Sequence, residues 1–134
     1  MPKSFTVEEA DRTLPLVRRI VEDIVRHYAI WRERVQLFEL EAANRRSDEP
    51  NARAETLQRE TQALAAEIDG FLRELDDLGV EFKGFDVGLV DFPGEMAGRQ
   101  VYLCWRLGEP SVQYWHEVDA GYAGRQPLTP VAVG

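Results

Sequence analysis

The sequence predicts an α+β fold, a single domain over residues 1–134 in which a long antiparallel two-helix hairpin (1–78) carries a small antiparallel β-sheet (79–126) on its side. Three observations predict it. Two apolar runs step by four and three residues without a miss, a polar stretch with a proline separates them, and after Gly79 the apolar period changes to two.

The first helix has a start signal in Thr6-Val7-Glu8-Glu9, where Thr6 can accept from the Glu9 amide while the Glu9 carboxylate reaches back. Pro15 disfavours helical geometry at Leu14 but suits a first helical turn, so the expectation is a bend near Leu14 and a second start at Pro15. From there Val17, Val21, Ile24, Tyr28, Trp31, Val35, Phe38 and Ala42 form one seam of a long helix. Residues 45–51, polar with Pro50, read as a turn. Ala54, Leu57, Thr61, Leu64, Ile68, Phe71, Leu75 and Leu78 form the second seam, and Gly79 is placed as a helix C-cap. Two helices of about 30 residues, each about 45 Å long and joined by a short loop, must fold back on each other. The aromatic residues of these seams are read as packing.

Strands are expected at 80–83, 87–92, 100–107 and 112–117, where β-branched and aromatic residues alternate between glycines and prolines. Residues 127–134 read as a loosely attached tail. A four-residue loop at 108–111 would set Leu107 opposite Val112. One face would then carry Val101, Leu103, Trp105 and Leu107 with Val112, Tyr114, His116 and Val118, and would be core. The other would carry Gln100, Tyr102, Cys104 and Arg106 with Gln113, Trp115, Glu117 and Asp119. Two large aromatics beside a guanidinium and two carboxylates are unusual on a plain solvent face. Tyr102, Arg106, Trp115, Glu117 and Asp119, with Arg125 from the following Gly-rich loop, are therefore the candidate ligand-binding residues.

Composition excludes several function classes. Sixteen basic against 24 acidic side chains give a net charge of −8, and both halves are acidic, so nucleic acid and anionic membrane are not expected partners. No apolar run of about 18 residues and no signal-like start point to a membrane or to export. The single cysteine, Cys104, fits a reducing cytoplasm and makes no structural zinc cluster. No metal and no cofactor is expected: neighbours on a strand point to opposite faces, so His116 and Glu117 cannot share an ion, and His116 reads as a hydrogen-bonded structural histidine. Asp23 and His27, four apart on the first helix, read as a salt bridge. The loop at 119–125 fits no phosphate-binding glycine spacing, and an ordinary turn is the simpler reading of it.

Helix one has a second apolar row, Leu16, Ile20, Ile30 and Leu37, which one partner helix cannot cover. A homodimer through the hairpin is the expectation. The functional reading is a small oligomeric module that binds a polar or anionic ligand on the mixed face. The alternatives are a small enzyme with Glu117 or Asp119 as general base, oriented by Arg106 or Arg125, and an adaptor that works through the hairpin.

Several stretches resemble a known family: residues 5–20 with Thr6-Val7-Glu8-Glu9-Ala10 and Leu14-Pro15-Leu16-Val17, then Gly88-Leu89-Val90-Asp91-Phe92-Pro93, residues 101–110, and Tyr114-Trp115-His116-Glu117-Val118-Asp119 running on to Arg125. They are similar to the domain of unknown function family 2203, over nearly the whole chain to Pro127. The resemblance implies a small soluble prokaryotic protein and carries no activity or ligand residues with it.

Overall fold

The computed structural model describes residues 4–44 and 50–128. Helix α1 spans Val7–Ala43 and α2 spans Ala52–Leu78. The capping box forms in both directions, Glu9 N to Thr6 Oγ1 at 3.0 Å and Thr6 N to Glu9 Oε1 at 2.9 Å. Asn51 caps α2 by accepting from Ala54 N at 3.0 Å, and Gly79 ends it in the left-handed conformation at φ 84°. Of the expected turn, residues 45–49 lie outside the described residues.

The bend expected at Leu14 is absent, because α1 runs unbroken through Pro15. Leu14 and Val17 are both buried in the core, and the stripe they continue is worth more than the one backbone bond that Pro15 cannot make. The proline ring itself faces solvent.

The helices are antiparallel: His27 pairs with Glu67 at 2.8 Å, Arg34 with Glu60 at 2.8 Å and Glu41 with Arg53 at 3.2 Å, falling on one helix as they rise on the other. His27 therefore reaches across to Glu67, whereas the Asp23 carboxylate pairs with Arg26. The expected Asp23–His27 salt bridge is replaced by a contact from the His27 ring to the Asp23 carbonyl.

Five antiparallel strands follow, β1 (Glu81–Gly84), β2 (Leu89–Met96), β3 (Arg99–Arg106), β4 (Tyr114–Glu117) and β5 (Gln126–Pro127), hydrogen-bonded in chain order. The sheet lays Val90, Phe92, Leu103 and Trp105 on Val17, Ile20, Val21, Ile24 and Leu75 of the helices. Gly88 sets that approach: its φ is +71°, and a Cβ there would sit 2.8 Å from the Val21 methyl and 2.9 Å from Leu107 Cβ. Part of the expected loose tail is attached, since β5 pairs with β4 and Leu128 N donates to Gln113 O at 2.8 Å. Residues 129–134 lie outside the described residues.

The β3–β4 register differs by one residue from the expected one. Tyr102 lies opposite His116 and Leu103 opposite Trp115. The connection is longer than four residues and is held by its own contacts. Arg106 N donates to Glu109 Oε1 at 2.8 Å, the Trp105 indole donates to Glu109 O at 2.9 Å, and Val112 N donates to Asp11 Oδ1 on α1 at 2.7 Å. Val112 is thereby drawn to the helix instead of pairing with Leu107. A slip of one residue turns every β4 side chain over.

Candidate functional site

The register sorts the candidate residues differently from the sequence-based expectation. Trp115 and Glu117 move to the helix-facing side: Trp115 packs against the core, and Glu117 lies opposite Val101 and binds Arg99 at 2.6 Å. Tyr102 and Arg106 stay on the outer face. Tyr102 Oη donates to Glu81 Oε2 at 2.8 Å, a bond that holds the phenol above its ordinary pKa, and its ring lies 5.6 Å from the Lys83 ammonium. Arg106 is exposed, with Nη1 3.5 Å from the Tyr122 hydroxyl. Asp119 is exposed in the turn after β4. Arg125 is largely buried, with Nη2 at 2.8 and 2.9 Å from the two Glu109 carboxylate oxygens and its guanidinium 3.8 Å from the Tyr114 ring centre. It pins the loop to the sheet.

His116 takes the place of Trp115 on the outer face, and it arrives among groups that the sequence reading left apart. Asp91 on β2 pairs in register with Cys104 on β3, and His116 on β4 sits across from Tyr102. All three are shut off from solvent, at 3%, 0% and 2% exposure for Asp91, Cys104 and His116. One ligand atom from each lies within 4.8 Å of the other two. His116 Nε2 is 3.0 Å from Asp91 Oδ1, and His116 Nδ1 is 2.8 Å from the Glu117 carbonyl oxygen.

A carbonyl oxygen only accepts, so Nδ1 carries hydrogen. Nε2 then faces a carboxylate oxygen across 3.0 Å, a distance that needs a proton between them. The pair holds that proton jointly, as imidazolium with carboxylate or as imidazole with carboxylic acid. Burial is the largest influence on Asp91 and raises its pKa, against the opposing pull of His116. Burial, reinforced by the Asp91 charge, pushes the Cys104 thiol up to about 12. The thiol is therefore not a ready nucleophile.

A cleft of about 260 Å³ opens above this cluster, lined by Lys83, Leu89, Asp91, Tyr102, His116, Val118, Gly121 and Tyr122. The segment after β4 supplies Val118, Gly121 and Tyr122 to its wall. A larger cavity of about 670 Å³ beside Val7, Trp115 and Leu128, and one of about 380 Å³ between Tyr28, Trp31, Ile68 and Phe85, reach none of the three buried groups.

Asp91 carries a signal that is legible in the sequence. An acid inside Leu89-Val90-Asp91-Phe92, a run that reads as a buried strand, needs a partner. Among the described residues no helix is long and apolar enough to cross a membrane. Neither the curated proteins nor the solved structures contain a significant match to the chain. The model of one family of uncharacterized conserved proteins matches residues 3–128, nearly the whole length, and the chain belongs to that family, DUF2203.

Proposed function

We propose that the chain is a small-ligand-binding or regulatory module whose site is the cleft over Asp91 and His116. The observation that carries this reading is the position of the pair. It lies on the sheet face away from the helices, where the core does not need it, and it floors an open cleft. A buried carboxyl such as Asp91, its pKa raised by burial, at the floor of a cleft is the kind of group that sites are built on. The rim supplies the Lys83 ammonium and the Tyr102 hydroxyl, both held by the Glu81 carboxylate, so a small polar ligand that takes the place of that carboxylate is preferentially anionic. Arg106 and Arg125 contribute through Tyr122, which both approach from the loop side. Glu117 as a general base loses support, because its carboxylate is tied to Arg99 on the other side of the sheet.

The test is a thermal-shift series with phosphate, acetate and malonate. A ligand present at about 100 times its Kd adds roughly 2.7 kcal/mol, a shift of roughly 10 °C for a chain of this size. Lys83→Met and Tyr102→Phe should remove it. Equal melting temperatures with and without all three anions would count against an anion site.

The hairpin supports a second element of the proposal, a homodimer. Leu16, Ile30 and Leu40 are exposed on α1, and an apolar cleft opens between Tyr28 and Trp31 of α1, Ile68 of α2 and Phe85 after β1. A second copy covers this surface most economically. Light scattering should give about twice 15.3 kDa. A monomeric mass for the folded protein would leave the hairpin free for another partner, the adaptor reading.

A further inference from the structure

We propose that Asp91, Cys104 and His116 form a binding site for one divalent transition-metal ion of the zinc class, with its open coordination position facing the cleft. The ligand types come first. A thiolate, an imidazole and one carboxylate suit zinc or cobalt and are foreign to calcium and magnesium, which take oxygen ligands. Three protein ligands with a fourth position left open is the arrangement of metal sites that act on a bound molecule.

The geometry agrees. Metal–ligand distances of about 2.0 to 2.3 Å put the corners of a tetrahedron roughly 3.3 to 3.8 Å apart. The present separations, 3.0 Å between His116 and Asp91 and at most 4.8 Å within the trio, lie on either side of that value. Small side-chain rotations therefore suffice. The ligands stand on three neighbouring strands of one sheet, which holds them without help from a loop.

Two independent features point to an ion. The Glu117 carbonyl fixes the hydrogen on Nδ1, so the lone pair of Nε2 is aimed at the Asp91 carboxylate, which is the outer support that metal-binding histidines use. Two electron-rich atoms aimed at each other across a buried gap require a cation between them, and a proton or a metal ion can serve. Asp91 and His116, both nearly inaccessible, also line the cleft, so an ion has a route in and a ligand can complete its shell. Lys83, a cation on the same cleft wall, is held by Glu81 at 3.0 Å. Binding exchanges the thiol proton and the proton shared by Asp91 and His116 for one dication. The buried site is neutral before and after, so the exchange adds no uncompensated charge to the interior.

The assignment does not require the cleft to bind an anion, and its test is separate. Metal-free full-length protein is titrated with cobalt(II) alone. The expected result is one cobalt per chain, a thiolate-to-cobalt charge-transfer band in the near ultraviolet and the strong visible bands of a tetrahedral ion, all displaced by one equivalent of zinc. Cys104→Ala should lose the charge-transfer band, His116→Gln and Asp91→Asn should weaken binding at least tenfold, and Arg59→Ala, exposed on α2, should change neither. Wild-type spectra that keep the pattern of hydrated cobalt would overturn the proposal whether or not the variants fold. So would binding that survives in all three ligand variants. An anion-induced thermal shift without cobalt binding would leave the ligand module standing and remove the metal.

Discussion

Replacing His116 by alanine in metal-free buffer leaves the Asp91 carboxyl without the partner that shares its proton. Both groups are almost fully buried, so the usual result of breaking such a pair, about 3 to 5 kcal/mol of lost stability, applies without a discount for solvent screening. The cleft moderates it. His116 lines a space of about 260 Å³, and water can follow into the room left by the imidazole and solvate the acid. The lower end, about 3 kcal/mol, is therefore expected, a fall in melting temperature of roughly 10 to 15 °C for a chain of this length.

Asp91→Asn is the informative contrast. The Nδ1 hydrogen is fixed by the Glu117 carbonyl, so neutral His116 presents a lone pair at Nε2, and the new amide can donate to it. The Cys104 thiol hydrogen-bonds the Asp91 carboxylate, and the amide oxygen can accept in its place, so no polar group is orphaned and the change should stay within about 1 kcal/mol of wild type. Denaturant melts of the two variants and their double mutant, all with chelator, measure this. Equal damage from both single changes would mean that the ionic form itself holds the sheet together. The argument that a neutral amide can stand in for the acid would then be wrong.

Three further outcomes follow from the same structure. Below pH 9 Cys104 keeps its proton in both folded and unfolded chains; between its ordinary 9.0 and the folded value of about 12 only the unfolded chain releases it, so stability should fall as pH rises across that window. The slope from this thiol is about 1.4 kcal/mol per pH unit, and urea melts should show it in wild type and not in Cys104→Ala. Pro15→Ala restores a donor inside an unbroken, solvent-facing stretch of α1 and should raise stability by about 1 to 3 kcal/mol; a loss would mean that the ring makes a contact worth more than the bond. Gly88→Ala forces a Cβ into Val21 and Leu107 at positive φ and should cost about 2 kcal/mol or more, read by thermal melting.

The helical half was legible because its signals are local. The seams repeat every three and four residues, Thr6 and Glu9 are three apart, and Gly79 follows directly on the last apolar position, so nothing remote is needed to read them. Pro15 was misread because the deciding contacts of Leu14 and Val17 lie on other elements. The sheet's existence was legible from its period of two, but its register was not. The connection after Arg106 is fixed by the Glu109 carboxylate and by Asp11, the latter 101 residues away from Val112 in the chain. One residue of slip then exchanged His116 for Trp115 across the sheet, which is why the candidate set divided and the true neighbours of His116 went unseen.

The two faces of the sheet obey different rules, and the difference bears on what the protein is for. The inner face is apolar apart from its rim, and Phe92, Leu103 and Trp105 account for its attachment to the helices. On the outer face a sheet of this size could have ended in ordinary polar residues. Instead Asp91, Cys104 and His116 are withdrawn from water beside the loop that Arg125 clamps to Glu109 and Tyr114. Hydrophobic side chains of equal volume in those three places would commonly be neutral or stabilising. A clamped loop beside three buried ligand-type side chains is hard to account for by folding alone, and it is what a site that must exclude water while admitting one small ion or molecule requires.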